Sequence, residues 1–419
     1  MRRKDLLNEE IYQKARVDEW LWTKAKTLGI SRRRLIQIMS AGAGAAAVNL
    51  LPKHQKVTVA AEEEIDPNAI VKDQRSDWFT QAGTNLETKW ENMYNRGYVV
   101  PNELFFVRNN NPTPRIDPAN WNLNVSGNGI SKPISFSYDE ITSMPSISVI
   151  RTLECAGNGR SFYKQAYGKE AEGTQWQLGG VGVAEWTGVP LKEVLDRAGL
   201  KNSAVDVLAV SVDEQKVQRP IPVEKALEED TLLVYAMNGS VLPPDHGFPI
   251  RLFVSGWAGI SSIKWVGDIQ VSTEPIYNIW NTEKYILIGA EYPAPPGSPA
   301  LGEIVTAQKV KSAFELAWNA ELAAEPHLLR GRSWSAEGKV SQVEVSLDDG
   351  QTWQQARLRP PNLEKAWVRW DVDWNPGPGS YKLKARATDD QGNVQPESVP
   401  FNEKGYLYWA VVTHPVTVV

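Results

Sequence analysis

The stretch Arg151-Thr-Leu-Glu-Cys155-Ala-Gly-Asn-Gly-Arg160 holds the one cysteine among 419 residues. Its first half ends a β-favouring run, residues 146–155, which reads as a strand. Its second half, Ala156-Gly157-Asn158-Gly159, reads as a turn whose small residues let backbone approach something bulky. Arg151 and Arg160 flank the thiol, and guanidinium groups both favour a thiolate and attract an anion. A soft thiolate open to an anion suits a metal that handles oxyanions. The residues alone leave a second reading open. Free cysteine is among the most buried residue types, so Cys155 is equally read as an inert thiol at a strand end.

Outward from this stretch, helix and strand signals alternate. Residues 121–127 (WNLNVSG) read as a strand closed by the turn Gly127-Asn128-Gly129. Ser137-Tyr-Asp-Glu140 has capping-box spacing, with the serine satisfying an early helical N–H and the glutamate reaching back. Leu191, Val194, Leu195 and Ala198 recur at helical spacing, with Pro190 at the start and Gly199 at the end. Residues 205–212, 250–256 and 263–272 read as strands, and Asn238-Gly239 between apolar runs marks a hairpin. Together these predict a mixed α/β domain over 78–290, then a stiff proline-rich linker over 291–302. Beyond it the period is two: Val343, Val345, Leu347; Val368, Trp370, Val372, Trp374; Tyr381, Leu383, Ala385, Ala387. That predicts an all-β immunoglobulin-like sandwich over 303–419, and an α+β class for the whole.

Composition narrows the function. A chain with 42% hydrophobic residues, 23% charged residues and a formal net charge of -5 offers no reason to expect nucleic-acid or anionic-membrane partners. One cysteine cannot close an intramolecular disulfide. The four histidines, at 54, 246, 327 and 414, show no HExxH or paired spacing, so a zinc hydrolase is not expected. No GxSxG elbow, nucleotide fingerprint or CxxCH haem motif occurs. The segment Ser31-Arg32-Arg33-Arg34-Leu35-Ile36-Gln37, followed by a weakly apolar run to Leu51, resembles a twin-arginine export signal. It predicts a signal region over 1–60, a polar linker over 61–77 and a periplasmic location; a basic amphipathic helix is the other reading of the same residues. The apolar run is too short to span a bilayer.

RTLECAGNGR resembles the cysteine motif of the sulfite oxidase family of molybdenum enzymes. Further segments are similar to that family in the same order: ELFFVRNNNPTPRIDPANWNLNVSG (103–127), WTGVPLKEVLDRAG (186–199) and YAMNGSVLPPDHGFPIRLFVSGWAGISSIKW (235–265). In the C-terminal region SLDDGQTWQQA (346–356) and RATDDQGNVQP (386–396) continue the likeness, which runs from about residue 88 to the end. The resemblance implies that Cys155 ligates a single molybdenum beside the dithiolene of one molybdopterin. Phe106, Val107, Arg108, Asn109 and Asn110, with Asp213, His246, Arg251, Ser262, Ile263 and Lys264, would hold the pterin and its phosphate, for which Arg and Lys are suited donors. Arg108 and Arg160 would line an oxyanion pocket, with Tyr285 near the reacting oxygen.

Two positions depart from the family pattern. Asn110 stands where a histidine is usual. Lys404, in NEKGY, stands where animal members carry an arginine; a lysine keeps the charge and loses the bidentate geometry. The implied function is oxidation of sulfite to sulfate by oxygen-atom transfer. No haem is expected in this chain, so electrons would pass to a separate carrier, a c-type cytochrome. The sandwich would mediate a two-fold homodimer. Rival readings with the same cofactor are a sulfane dehydrogenase acting on carrier-bound sulfur, or a sulfoxide or nitrate reductase. A non-enzymatic secreted binding protein is the remote one.

Overall fold

Alternation of apolar and polar residues makes Asn122–Ser126 a half-buried strand, with Leu123 and Val125 inward. In the computed structural model, which describes residues 70–419, it joins a five-stranded sheet. The order is Ile134–Ser137, Asn122–Ser126, Val266–Ser272, Asp206–Ser211, Gln218–Pro222. The pairing of Asn122–Ser126 with Val266–Ser272 is parallel and the others are antiparallel. The expected signal region lies outside the described residues.

A second sheet runs Ile147–Glu154, Val181–Pro190, Thr231–Met237, Ser240–Val241, and Arg251–Val254 also pairs with Thr231–Met237. Its hairpin has Asn238 and Gly239 at φ +52° and +69°, the left-handed pair that a two-residue turn needs to match strand twist. The capping box at Ser137 is present and opens the helix Tyr138–Thr142. The helix Leu191–Arg197 starts after Pro190 and is followed by Gly199 at φ +73°. Apolar faces of both sheets and both helices meet in one core that includes Leu123, Ile141, Val194, Leu233, Leu252 and Ile269.

The C-terminal region is the expected β-sandwich. One sheet runs Lys311–Phe314, His327–Trp334, Trp367–Trp374, Arg357–Asn362. The other runs Ala320–Leu322, His414–Val418, Gly379–Asp389, Val340–Ser346, Gln354–Gln355. The residues whose alternation announced it, Val343, Val345, Val368, Trp370, Leu383, Ala385 and Ala387, fill the space between.

What matters for the site is how the sandwich grips the first domain. Arg332 is fully buried, pairs with Glu315 at 2.6 Å and donates to the carbonyls of Met93, Gly97 and Tyr98. Trp334 stacks on Trp90, with centroids 6.1 Å apart. Lys311 reaches Glu154 at 2.7 Å, next to Cys155 in sequence. The segment before the last strand returns to the first domain, where the Leu407 N–H donates to the Ala156 carbonyl at 2.8 Å.

One sandwich residue makes stability depend on pH. His414 is buried against the rings of Phe314 and Trp318, with Nε2 bonded to the Ala317 carbonyl at 2.9 Å. Burial pushes its pKa down to about 4. The unfolded chain protonates this group near its ordinary value of about 6.5. Its contribution is therefore fully present above that value and is lost as pH falls through 6.5 toward 4, by up to about 3 kcal/mol. His414→Gln keeps a donor for Ala317. It is expected to flatten this part of the slope in denaturant unfolding compared at pH 7 and pH 4.5.

Candidate active site

The strand Ile147–Glu154 delivers Cys155 to the end of its sheet. There the Cys155 N–H donates to the Gly180 carbonyl (2.8 Å) and the Asn158 N–H donates to the Cys155 carbonyl (2.9 Å), closing a tight turn. The Asn158 side chain locks it, accepting from the Gly180 N–H (2.9 Å) and donating to Glu154 (2.9 Å). A Cβ on Gly157 would lie 2.9 Å from Arg160 Nη1 and push on that guanidinium. Arg160 is buried, donates to the carbonyls of Lys404 (3.0 Å) and Thr174 (2.8 Å), and packs 4.9 Å from the Tyr406 ring centroid. Arg151, the other expected flank, instead pairs with Asp230 at 3.0 Å in a separate hollow.

Cys155 is a buried free thiol, and it lines two cavities. The first lies against Phe106, Leu153, Ile260 and Trp265. It gathers every residue expected to hold the cofactor except Val107. Val107 packs instead with Ile70, Phe79 and Leu86, and its main chain pairs with Leu86, so it fixes the segment that carries Phe106 and Arg108.

Electrostatics say what this cavity is built to hold. Lys264 donates to the Asp245 carbonyl (2.9 Å) and to the Asn109 side chain. Arg251 donates to the carbonyls of His246 (3.0 Å) and Ser262 (2.9 Å), while its Nε is buried without a partner. Burial pushes the Arg251 guanidinium down to about 9. Burial, with repulsion from Lys72, Lys264 and Arg251, holds His246 well below its ordinary range. Burial and Arg251 do the same to Lys264. The nearby carboxylates are engaged elsewhere. Asp245 accepts from the N–H groups of Val71 (2.9 Å) and Lys72 (2.8 Å) and from the Thr113 hydroxyl (2.6 Å). Asp213 accepts from Asn111 (2.6 Å) and from the Val217 N–H (3.1 Å). Desolvated cations with an orphaned donor call for an anion with several acceptor oxygens, and the phosphate of a pterin cofactor fits. Cys155 puts a soft sulfur donor, of the kind that such a metal takes, in the same cavity.

Lys72 escaped sequence reasoning. The expected linker 61–77 is described from Ile70 onward, and there it is docked. Lys72 Nζ donates to the carbonyls of Asn102 (2.8 Å) and Phe105 (2.6 Å) and meets His246 Nε2 at 2.9 Å. Burial pushes its pKa down to about 7. A lysine in a polar, acidic stretch gives no local signal. Asp245 did have one, its adjacency to His246.

The second cavity brings together the four expected substrate residues Arg108, Arg160, Tyr285 and Lys404. Arg108 Nη2 donates to Asn110 Oδ1 (2.8 Å) and to Tyr285 Oη (3.1 Å), so the amide at 110 serves as an acceptor that orients the guanidinium. Tyr285 sits at φ +53° and stacks on Tyr406, with centroids 5.0 Å apart. Strained backbone at a non-glycine residue gathers at functional sites. Lys284 lies over the Trp280 ring at 4.5 Å. Trp176, Tyr406 and Glu172 complete the walls and were missed from sequence, although Tyr406 stands two residues beyond Lys404.

Comparison with known proteins agrees with this geometry. Residues 110–280 match the family described as oxidoreductase molybdopterin binding domain, and residues 305–415 match the Mo-co oxidoreductase dimerisation domain. Human mitochondrial sulfite oxidase is 34% identical over 333 residues, covering 74% of this chain and 60% of its own length. Sulfite oxidase of Gallus gallus is 33% identical over 335 residues, covering 74% and 71%. NADH nitrate reductase of Solanum lycopersicum is 29% identical over 367 residues, covering 77% and 39%. This chain therefore spans 60% of the length of its human relative. The sulfane dehydrogenase SoxCD of Paracoccus pantotrophus has the same fold, with a TM-score of 0.71 at 24% identity over 88% of this chain and 96% of that one.

Proposed function

This chain belongs to the sulfite oxidase family of molybdopterin oxidoreductases, and from that premise we propose that it oxidises sulfite to sulfate with one molybdenum-molybdopterin. The observation that carries the reading is the position of one thiol, Cys155, in the wall of both the cavity lined by Arg251 and Lys264 and the one lined by Arg108, Arg160 and Lys404. When bound, the cofactor would supply oxygen-atom transfer and a sink for two electrons.

The chain's own residues divide the remaining work. Cys155 would hold the metal, and Arg251, Lys264, Ser262 and His246 the phosphate-bearing part. Arg108, Arg160 and Lys404 would gather the oxyanion and offset its charge, which counts for more in a pocket walled by Trp176, Trp280 and Tyr406 than in water. Tyr285 Oη accepts from Arg108 and so keeps its own O–H to donate to an oxyanion oxygen.

Three further elements rest on narrower support. A homodimer is supported by the match of residues 305–415 to a dimerisation domain. Export to the periplasm by the twin-arginine route is supported by the Ser31–Gln37 motif. Electron delivery to a separate c-type cytochrome follows from the resemblance.

The test is sulfite oxidation coupled to ferricyanide reduction, on protein made in a host that synthesises the cofactor. Saturable turnover is expected. A molybdenum-replete protein without sulfite turnover would overturn the substrate and point to sulfane sulfur, a sulfoxide or nitrate.

A further inference from the structure

Four cations line the second cavity: Arg108, Arg160, Lys284 and Lys404. Among the described residues only Lys404 of these is ion-paired. Its Nζ meets Glu172 Oε2 at 2.7 Å. The pairing is built in, because the Glu172 N–H donates to the Glu403 carbonyl at 3.0 Å and pins the two loops side by side. The hydrogen bond from Lys404 holds the Glu172 carboxylate below its ordinary range, so it is charged at neutral pH. The carboxylate itself stays accessible, with 69% of the side chain exposed, and Lys404 lies inward of it at 29%.

A carboxylate lining an anion pocket is unfavourable for binding anions unless it has another use. Here it pairs directly with one cation, Lys404, and acts on Arg160 more weakly through space, while the hydrogen bonds of Arg108 and Arg160 go to neutral groups. We propose that Glu172 sets the anion specificity of this site, its carboxylate occupying the Lys404 ammonium as an internal competitor that an incoming oxyanion must displace. An oxyanion of charge two with several acceptor oxygens can take Lys404 from Glu172. A singly charged anion such as nitrate gains too little from Lys404 to do so. The same competition returns Lys404 to Glu172 as the product leaves. This inference deepens the proposed function and rests on the second cavity being its substrate site.

The test is a double-substitution cycle on the holoenzyme, read by calorimetric titration with sulfate and with nitrate, which needs no turnover. Removing a partly exposed ion pair of this kind changes affinity by about two- to fivefold. Glu172→Gln is expected to tighten sulfate by that factor and to tighten nitrate more, narrowing the preference between them. In a Lys404→Met background the same substitution is expected to tighten sulfate clearly less, because only the direct repulsion by Glu172 and its weaker pull on Arg160 are then removed. In turnover, the sulfite KM is expected to fall with Glu172→Gln. Sulfate affinity that is unchanged or weaker in Glu172→Gln, tightening that is undiminished without Lys404, or no sulfate binding to either protein would overturn the inference. An intact binding cycle with no sulfite turnover would sink the assigned substrate and leave the role of Glu172 standing.

Discussion

Cys155→Ser is expected to lower the proposed sulfite turnover by at least about a hundredfold, in a protein that still folds and still binds pterin. The substitution is nearly isosteric, and the bonds that shape the turn are made by main chain and by Asn158, so the turn survives. What disappears is the soft ligand. A serine hydroxyl is harder and far less acidic than a thiol, so it is a poor replacement at such a metal. Changes to groups that merely support metal ligands already cost about 10–100-fold, and loss of the ligand itself belongs at or beyond the upper end. The pterin is retained because Arg251, Lys264 and Ser262 are untouched. Steady-state turnover and pterin fluorescence on the same samples check both halves. A serine variant within tenfold of wild type would return Cys155 to an inert core thiol.

Lys311→Met is the larger effect on stability. Lys311 and Glu154 form an ion pair with both side chains 3% exposed. Glu154 also accepts from Asn158 (2.9 Å) and from Trp334 Nε1 (3.0 Å), and Lys311 also donates to the Asn158 carbonyl (3.0 Å). Removing the ammonium leaves a buried carboxylate facing indole and amide donors without a countercharge, which costs about 3–5 kcal/mol. The group that loses its partner adjoins Cys155, so the sandwich is coupled to the cysteine turn as well as to the fold. Adding Glu154→Gln to Lys311→Met removes the stranded charge and is expected to recover much of the loss. Urea unfolding of the two variants and the wild type measures it. A loss under about 1 kcal/mol for Lys311→Met would mean that water reaches the pair.

The elements that were legible in sequence are those written locally. Capping-box spacing at Ser137, the Asn238-Gly239 hairpin and the period-two runs of the sandwich each depend on neighbours within a few residues, and each is formed. The cysteine motif was legible because its thiol, its small-residue turn and Arg160 stand within a few residues of one another. Features made by distant contact were not. Lys72 reaches His246 across 174 positions and Glu172 reaches Lys404 across 232, and neither end announces the other. Arg151 shows the reverse error. Proximity in sequence suggested that it flanks the thiol, but its side chain leaves for Asp230. Val107 sits between two cavity residues and faces the opposite side, as its pairing with Leu86 requires.

Asn110 and Lys404, the two departures from the family pattern, acquire physical meaning in the structure. Asn110 gives Arg108 an acceptor that a protonated imidazole could not provide. Lys404 can share its single ammonium with Glu172 without the planar fork of an arginine committing to it.

The most direct measurement is the molybdenum and pterin content of the purified protein, determined by mass spectrometry and by fluorescence after release, on chains folded in a cofactor-producing host. One molybdenum and one pterin per chain is the expected result, since the orphaned Arg251 Nε and the buried Lys264 share a cavity with Cys155. Folded protein from that host with neither group would contradict it and leave the cationic cavity without its assigned ligand.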